Sequence, residues 1–73
     1  MKRHEFSLDG RDHVDLCDLL KLCDLAPSGA AAKHDIADGK VKVDGVVETR
    51  KRCKIREGQV VLSQNTEIII KKS

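Results

Sequence analysis

The chain has 73 residues, a net charge of +2, 40% hydrophobic residues and a single aromatic residue. This length predicts one domain with a small core, and the mixture of apolar and charged residues predicts a globular chain rather than a disordered one. The longest unbroken apolar runs have three residues, which excludes a membrane-spanning helix.

The N-terminus and the cysteines indicate the cellular compartment. The first five residues, MKRHE, are charged and lead into no apolar segment of a signal peptide, so we expect a cytoplasmic protein. Cys17, Cys23 and Cys53 are odd in number, and the closest two are separated by five residues, which is not zinc-ligand spacing. We therefore predict reduced thiols, no metal site and no cofactor.

The N-terminal half predicts a strand and two helices. Residues 4–8 alternate weakly and predict a short edge strand. Residues 12–22 predict a helix capped by Asp12, because an apolar stripe recurs there at helical spacing. After Pro27, the spacing predicts a second helix with Ser28 as its N-cap, ending near Ala37, and Gly39 is a natural stop. The stripe of the first helix comprises Leu16, Leu19, Leu20 and Cys23.

The C-terminal half predicts about four strands. Residues 41–47 predict a hairpin, since valines alternate with lysines and Asp44-Gly45 suits a tight turn in which both residues have positive φ. Two apolar runs, residues 60–62 and 68–70, predict strands that are buried on both faces or exposed at an edge. The element order predicts an α+β fold with two packed helices against a small, bent, mostly antiparallel sheet.

Positive charge is concentrated in one segment. Residues 40–56 carry seven Lys or Arg residues against two acids, a local charge of +5 in a chain of +2, whereas residues 4–25 carry a local charge of −4. If residues 50–54 are extended, Arg50, Arg52 and Lys54 share one face of the strand. A surface of this kind predicts nucleic-acid binding, and the alternative is a solvated charged face without a ligand.

The predicted ligand is a folded nucleic acid held by its phosphates. Arg donates paired hydrogen bonds to phosphate and Lys adds a mobile charge. The chain has no aromatic residue to spare for stacking on unpaired bases, which favours structured RNA over a single strand. Helix-turn-helix DNA binding is a competitor, but the second helix offers only Lys33 and His34 as readers. The candidate contacts are Lys33, Lys40, Lys42, Arg50, Lys51, Arg52 and Lys54.

The sequence contains no recognisable catalytic motif. We find no Gly-rich phosphate loop after a strand and no Cys-His or Ser-His arrangement, and we predict that the protein is not an enzyme. The alternative to RNA binding is a protein-interaction adaptor. In that case the acidic first helix or the edge of the C-terminal strand would dock a partner.

Three segments carry a family resemblance: residues 28–33 with Ile36, the hairpin residues 39–47, and residues 49–55. Together they resemble the S4-type RNA-binding domain with its alpha-L motif, and with residues 13–22 the resemblance to the stand-alone bacterial YbcJ family is closer still. The match covers roughly residues 12–62 as the core motif of a single domain over residues 1–73.

The resemblance implies two packed helices on a small bent sheet, and binding of structured RNA by the second helix and the following hairpin. We expect a monomer, and an RNA of the ribosomal or transfer RNA class. Onto this sequence it carries Lys33, Lys42, Arg50 and Arg52, with Lys40, Lys51 and Lys54 as neighbours. The sequence departs from the family pattern at the start of the second helix, where Gly29, Ala30 and Ala31 replace arginines. It also has Gly58-Gln59 in place of Gly-Asp, a change that we expect to affect the turn.

Overall fold

The computed structural model describes residues 2–72 and consists of two helices and seven strands within that range. In chain order the elements are β1 (Lys2–Ser7), β2 (Val14–Asp15), α1 (Leu16–Leu22), α2 (Gly29–Ala37), β3 (Lys42–Val43), β4 (Val46–Val47), β5 (Lys54–Ile55), β6 (Val60–Ser63) and β7 (Thr66–Lys71). Five strands form one sheet in the order β1-β7-β6-β3-β4, and β2 pairs with β5 in a second, two-stranded sheet.

The first helix is shorter than the sequence predicts. It begins at Leu16, so the prediction of Asp12 as its cap is wrong; Asp15 takes that position without a capping hydrogen bond from its side chain. The residues before it, β2, pair with β5, and this pairing satisfies backbone groups that a longer helix would have used. The apolar stripe itself starts at Leu16, which agrees with the observed start.

The second helix agrees with its prediction. Ser28 is the N-cap, and its hydroxyl oxygen accepts a hydrogen bond from the Ala31 N–H at 3.2 Å. The helix ends at Ala37, and Gly39 follows with a φ of +76°, the left-handed conformation that stops a helix and suits glycine. The chain therefore turns directly from α2 into the basic hairpin.

Two tight turns fix the register of the main sheet. Asp44 and Gly45 have φ of 52° and 85°, and Gln64 and Asn65 have φ of 50° and 59°, so each pair forms a two-residue hairpin turn. The predicted Asp44-Gly45 hairpin is confirmed. The Asp44 carboxylate also accepts hydrogen bonds from the Val60 N–H at 3.0 Å and the Gln59 amide at 3.3 Å, which ties this turn to the start of β6.

The edge strands differ in part from the prediction. β1 lies at an edge, as predicted, and pairs in parallel with β7. β7 pairs on both sides, so the prediction of the C-terminal strand as an exposed docking edge is wrong. Burial also alternates along β6 and β7 rather than covering both faces, because only one face of the sheet meets the helices.

The core joins both helices to one face of the main sheet. Leu16, Leu19, Leu20 and Ile36 pack in a single cluster with sheet residues such as Ile68. The two helices also contact one another. The predicted fold class, two packed helices against a mostly antiparallel sheet, is therefore confirmed. Neither helix is long and apolar enough to cross a membrane within the part of the chain that is described.

Candidate functional site

The basic segment that follows the hairpin lies against the start of α1. We call residues 50–54 the basic loop. The Leu16 N–H donates to the Cys53 carbonyl at 2.9 Å, and the Cys17 N–H donates to the Lys51 carbonyl at 3.2 Å. These bonds satisfy backbone donors at the first turn of the helix, which have no partner inside it. The loop is thus attached to α1, the more buried of the two helices in residues 2–72.

The basic loop is not an extended strand. Its residues 51 and 52 form a turn, closed by a hydrogen bond from the Cys53 N–H to the Arg50 carbonyl at 3.2 Å. The alternation expected for residues 50–54 is therefore wrong, because the bonds to α1 pull the backbone into this turn. The acidic N-terminal segment also meets the basic segment here, since Asp15 of β2 lies opposite Lys54 of β5.

A cleft of about 470 Å³ opens beside the loop and is lined by Arg50, Arg52, Cys53 and Lys54. We call it the loop cleft. Its three cationic residues are exposed, and no carboxylate among the described residues lines it. The turn at residues 51–52 therefore groups the three cations that the sequence had placed on one face of a strand. Such a surface attracts an anion with several negative groups.

One cation of the loop cleft is held by an acid outside it. Arg50 donates to the Glu48 carboxylate through Nε at 3.1 Å and Nη2 at 2.8 Å, and its backbone N–H donates to the same group at 3.1 Å. Glu48 is itself placed by the hairpin, since its N–H donates to the Val41 carbonyl. The Glu48 side chain is 18% exposed and the Arg50 side chain is 76% exposed. The pair fixes the direction of the guanidinium while leaving it open to solvent.

The electrostatic consequence is clearest at Glu48. The hydrogen bonds from Arg50, side chain first and backbone second, lower the pKa of Glu48 from 4.5 to about 2. The same pair raises the pKa of Arg50. The Cys53 thiol lies 3.7 Å from Arg50 Nη2, and partial burial, followed by its hydrogen bond with Glu48, raises the pKa of that thiol. Cys53 is therefore a protonated lining residue of the cleft rather than a reactive thiolate.

The effect of Arg50 on Glu48 can be measured by an acid titration. We expect the Glu48 carboxyl to titrate near pH 2 in the native protein, and its pKa to rise towards 4.5 in Arg50→Gln. Because the pKa is lowered by folding, the stability from this pair is present above pH 4.5 and is lost as the pH falls towards 2. Carboxyl carbon NMR shifts of Glu48, measured against pH in the native protein and in Arg50→Gln, check this. The same midpoint in both proteins would contradict it.

A second cleft, of about 320 Å³, lies at β3 and the β6–β7 turn. We call it the turn cleft, and it is lined by Lys40, Lys42, Leu62, Ser63, Gln64 and Asn65. The predicted residues Lys40 and Lys42 are thus grouped with one another but not with the basic loop. Lys33 is half-buried on α2 and lines neither cleft, and Lys51 is exposed at the turn of the basic loop.

Two groups in these sites were not identified from the sequence. Glu48 precedes Arg50 by two residues, a spacing visible in the sequence, but only the loop conformation brings the carboxylate onto the guanidinium. The turn residues 63–65 lie between the two apolar runs and are not among the candidate contacts. Lys42 pairs with Leu62 across the sheet, and this register places the turn beside the lysines. β3 and β6 are distant from one another in the sequence, so their pairing has no local sequence signal.

Comparison with known proteins gives the class of the chain. The family model of the S4 domain matches residues 6–71, and the chain belongs to this family. A curated relative is YbcJ of Escherichia coli strain K12, whose name describes it as a candidate RNA-binding protein. It is 66% identical over 56 residues, which cover 77% of this chain and 80% of that protein. YbcJ of Shigella flexneri, named as uncharacterized, has the same identity and coverage.

A solved structure agrees with the fold. The solution structure of YbcJ from E. coli superposes with a TM-score of 0.71 at 55% sequence identity, covering 92% of this chain and 85% of that one. Its description states that it contains an alpha-L motif involved in RNA binding. The predicted resemblance to the S4-type domain and the YbcJ proteins is therefore confirmed.

Proposed function

We propose that this chain is a non-enzymatic RNA-binding protein that holds the phosphate backbone of a folded RNA. The observation that carries the proposal is the loop cleft, where three exposed cationic residues converge with no carboxylate lining it among the described residues. Membership of the S4 domain family and the descriptions of the YbcJ relatives support it.

The chemistry of the loop cleft suits phosphate groups. Arg50 is held by Glu48 and still projects donors to solvent, so it is ordered before any ligand arrives. Arg52 and Lys54 form no ion pair with an acid of residues 2–72, so their charge is available. Neutralising RNA phosphates with these residues releases counterions, which is the main source of affinity in such complexes.

The composition of the surface favours folded RNA over an unpaired strand. The only aromatic residue, Phe6, is half-buried on β1 and packs against the core. With no aromatic platform, binding depends on backbone positions and shape rather than on stacked bases. The ribosomal or transfer RNA class fits this description. The protein acts as one cytoplasmic S4-like domain, with contacts drawn from Lys33, Lys40, Lys42, Arg50, Lys51, Arg52 and Lys54.

A comparative titration tests the proposal. Fluorescence anisotropy would follow binding to an RNA hairpin, an unpaired RNA strand and a DNA duplex, each at about 50 mM and about 200 mM salt. We expect the hairpin to bind most tightly and to lose most of its affinity at the higher salt. Equal and weak binding to all three nucleic acids would overturn the proposal.

A further inference from the structure

The turn cleft carries positive charge that no acid balances. Lys40 and Lys42 are exposed, and neither forms an ion pair with an acid of residues 2–72. Glu67 lies opposite Leu62 in the register of this sheet. Its carboxylate is bound to Arg3 at 3.2 Å. The two lysines are therefore free to neutralise an external anion.

The rim of the turn cleft is held in place on both sides. The Gln64 amide donates to the Leu25 carbonyl in the loop between the helices, and the Asn65 carbonyl accepts from the Lys2 N–H at 2.9 Å. The side chain of Asn65 is exposed and makes no hydrogen bond within residues 2–72. A fixed turn thus presents an unused amide beside two unpaired ammonium groups. Asn and Lys are among the side chains that contact phosphate and sugar.

The two clefts are tied by hydrogen bonds to different ends of α1. The basic loop is bonded to Leu16 and Cys17 at the start of this helix, whereas Gln64 at the turn cleft is bonded to Leu25, just beyond its end. At 1.5 Å per residue, the seven residues of α1 between these anchors span roughly 10 Å. The clefts share no lining residue. They are therefore two separate basic surfaces.

We propose that the turn cleft binds a second backbone segment of the same RNA that the loop cleft holds. The ligand class is then a folded RNA whose two strands, or two limbs, lie side by side, with the half-buried Leu62 forming the apolar floor beneath a ribose. This inference rests on the proposed function and adds to it Gln64 and Asn65 as part of the RNA-binding surface. Lys40 and Lys42 would act on a different strand from Arg52 and Lys54.

The test compares one RNA hairpin with the unpaired strand that makes up one of its arms. In Lys40→Gln/Lys42→Gln we expect hairpin affinity to fall about tenfold and the slope of log affinity against log salt to flatten by about 2. Affinity for the unpaired strand should fall by less than about twofold, because a single backbone segment fills only one of the two clefts. Asn65→Gly keeps the left-handed turn, so it should weaken hairpin binding without changing the slope.

Lys21→Gln/Lys72→Gln is the matched control, since it removes two exposed charges outside both clefts. Hairpin binding at the native level in Lys40→Gln/Lys42→Gln would overturn the inference. An equal loss for the hairpin and the unpaired strand would also overturn it, because both clefts would then hold one continuous strand. Failure of the native protein to bind the hairpin at all would instead overturn the proposed function.

Discussion

Leu19→Ala is expected to lower the free energy of unfolding by about 3 kcal/mol. Leu19 is 0% exposed and packs in the cluster that joins α1 to the sheet. The substitution removes buried methyl groups and leaves a cavity, while alanine keeps the helix propensity. A domain of this size has a total stability of roughly 4 to 11 kcal/mol, so the variant would retain a small margin.

The same helix supplies the control for this substitution. Leu22 is the last residue of α1 and is 57% exposed, so Leu22→Ala removes the same atoms from solvent rather than from the core. We expect a change below about 0.5 kcal/mol there. Chemical denaturation of both variants measures the difference, and thermal unfolding should show Leu19→Ala melting roughly 15 °C lower. Equal destabilisation by the two substitutions would show that α1 does not pack as described.

Arg52→Gln/Lys54→Gln is expected to reduce affinity for a folded RNA by about 10- to 100-fold at low salt. Each residue neutralises one phosphate in the proposed complex, so the slope of log affinity against log salt should flatten by about 2. The loss should be uniform across RNA sequences, because phosphate contacts carry no base information. Arg50 is left unchanged, since its salt bridge with Glu48 also shapes the loop.

The control is again Lys21→Gln/Lys72→Gln, which lowers the net charge by the same amount outside both clefts. If the loop cleft is the binding surface, the control variant keeps most of the affinity. Both side chains replaced in Arg52→Gln/Lys54→Gln are exposed, so its unfolding temperature should match that of the native protein. Equal losses in the two variants would mean that net charge alone sets the affinity.

Local signals predicted much of the fold from the sequence. Ser28 and Gly39 bounded the second helix, and Asp44-Gly45 defined a hairpin, because caps and tight turns depend on a few neighbouring residues. The predicted start of the first helix was wrong because β2 pairs with β5, which is a contact between distant segments. The central position of β7 was missed for the same reason, since its parallel partner β1 lies at the other end of the chain.

The candidate site was predicted at the level of residue type. The concentration of Lys and Arg in residues 40–56 indicates the candidate residues, and most of them line one of the two clefts. The arrangement was not predictable, because it depends on the turn at residues 51–52 and on the register of β3 against β6. Neither the Glu48–Arg50 salt bridge nor the division into two clefts has a local sequence signature.

The most direct measurement is the change in backbone amide NMR shifts when a folded RNA hairpin is added to the labelled protein. We expect the largest changes at residues 50–54, with a second group at residues 40–42 and 62–65, and small changes at exposed acidic positions such as Asp18 and Asp24. Changes concentrated at those acidic positions, with residues 50–54 unmoved, would contradict the account.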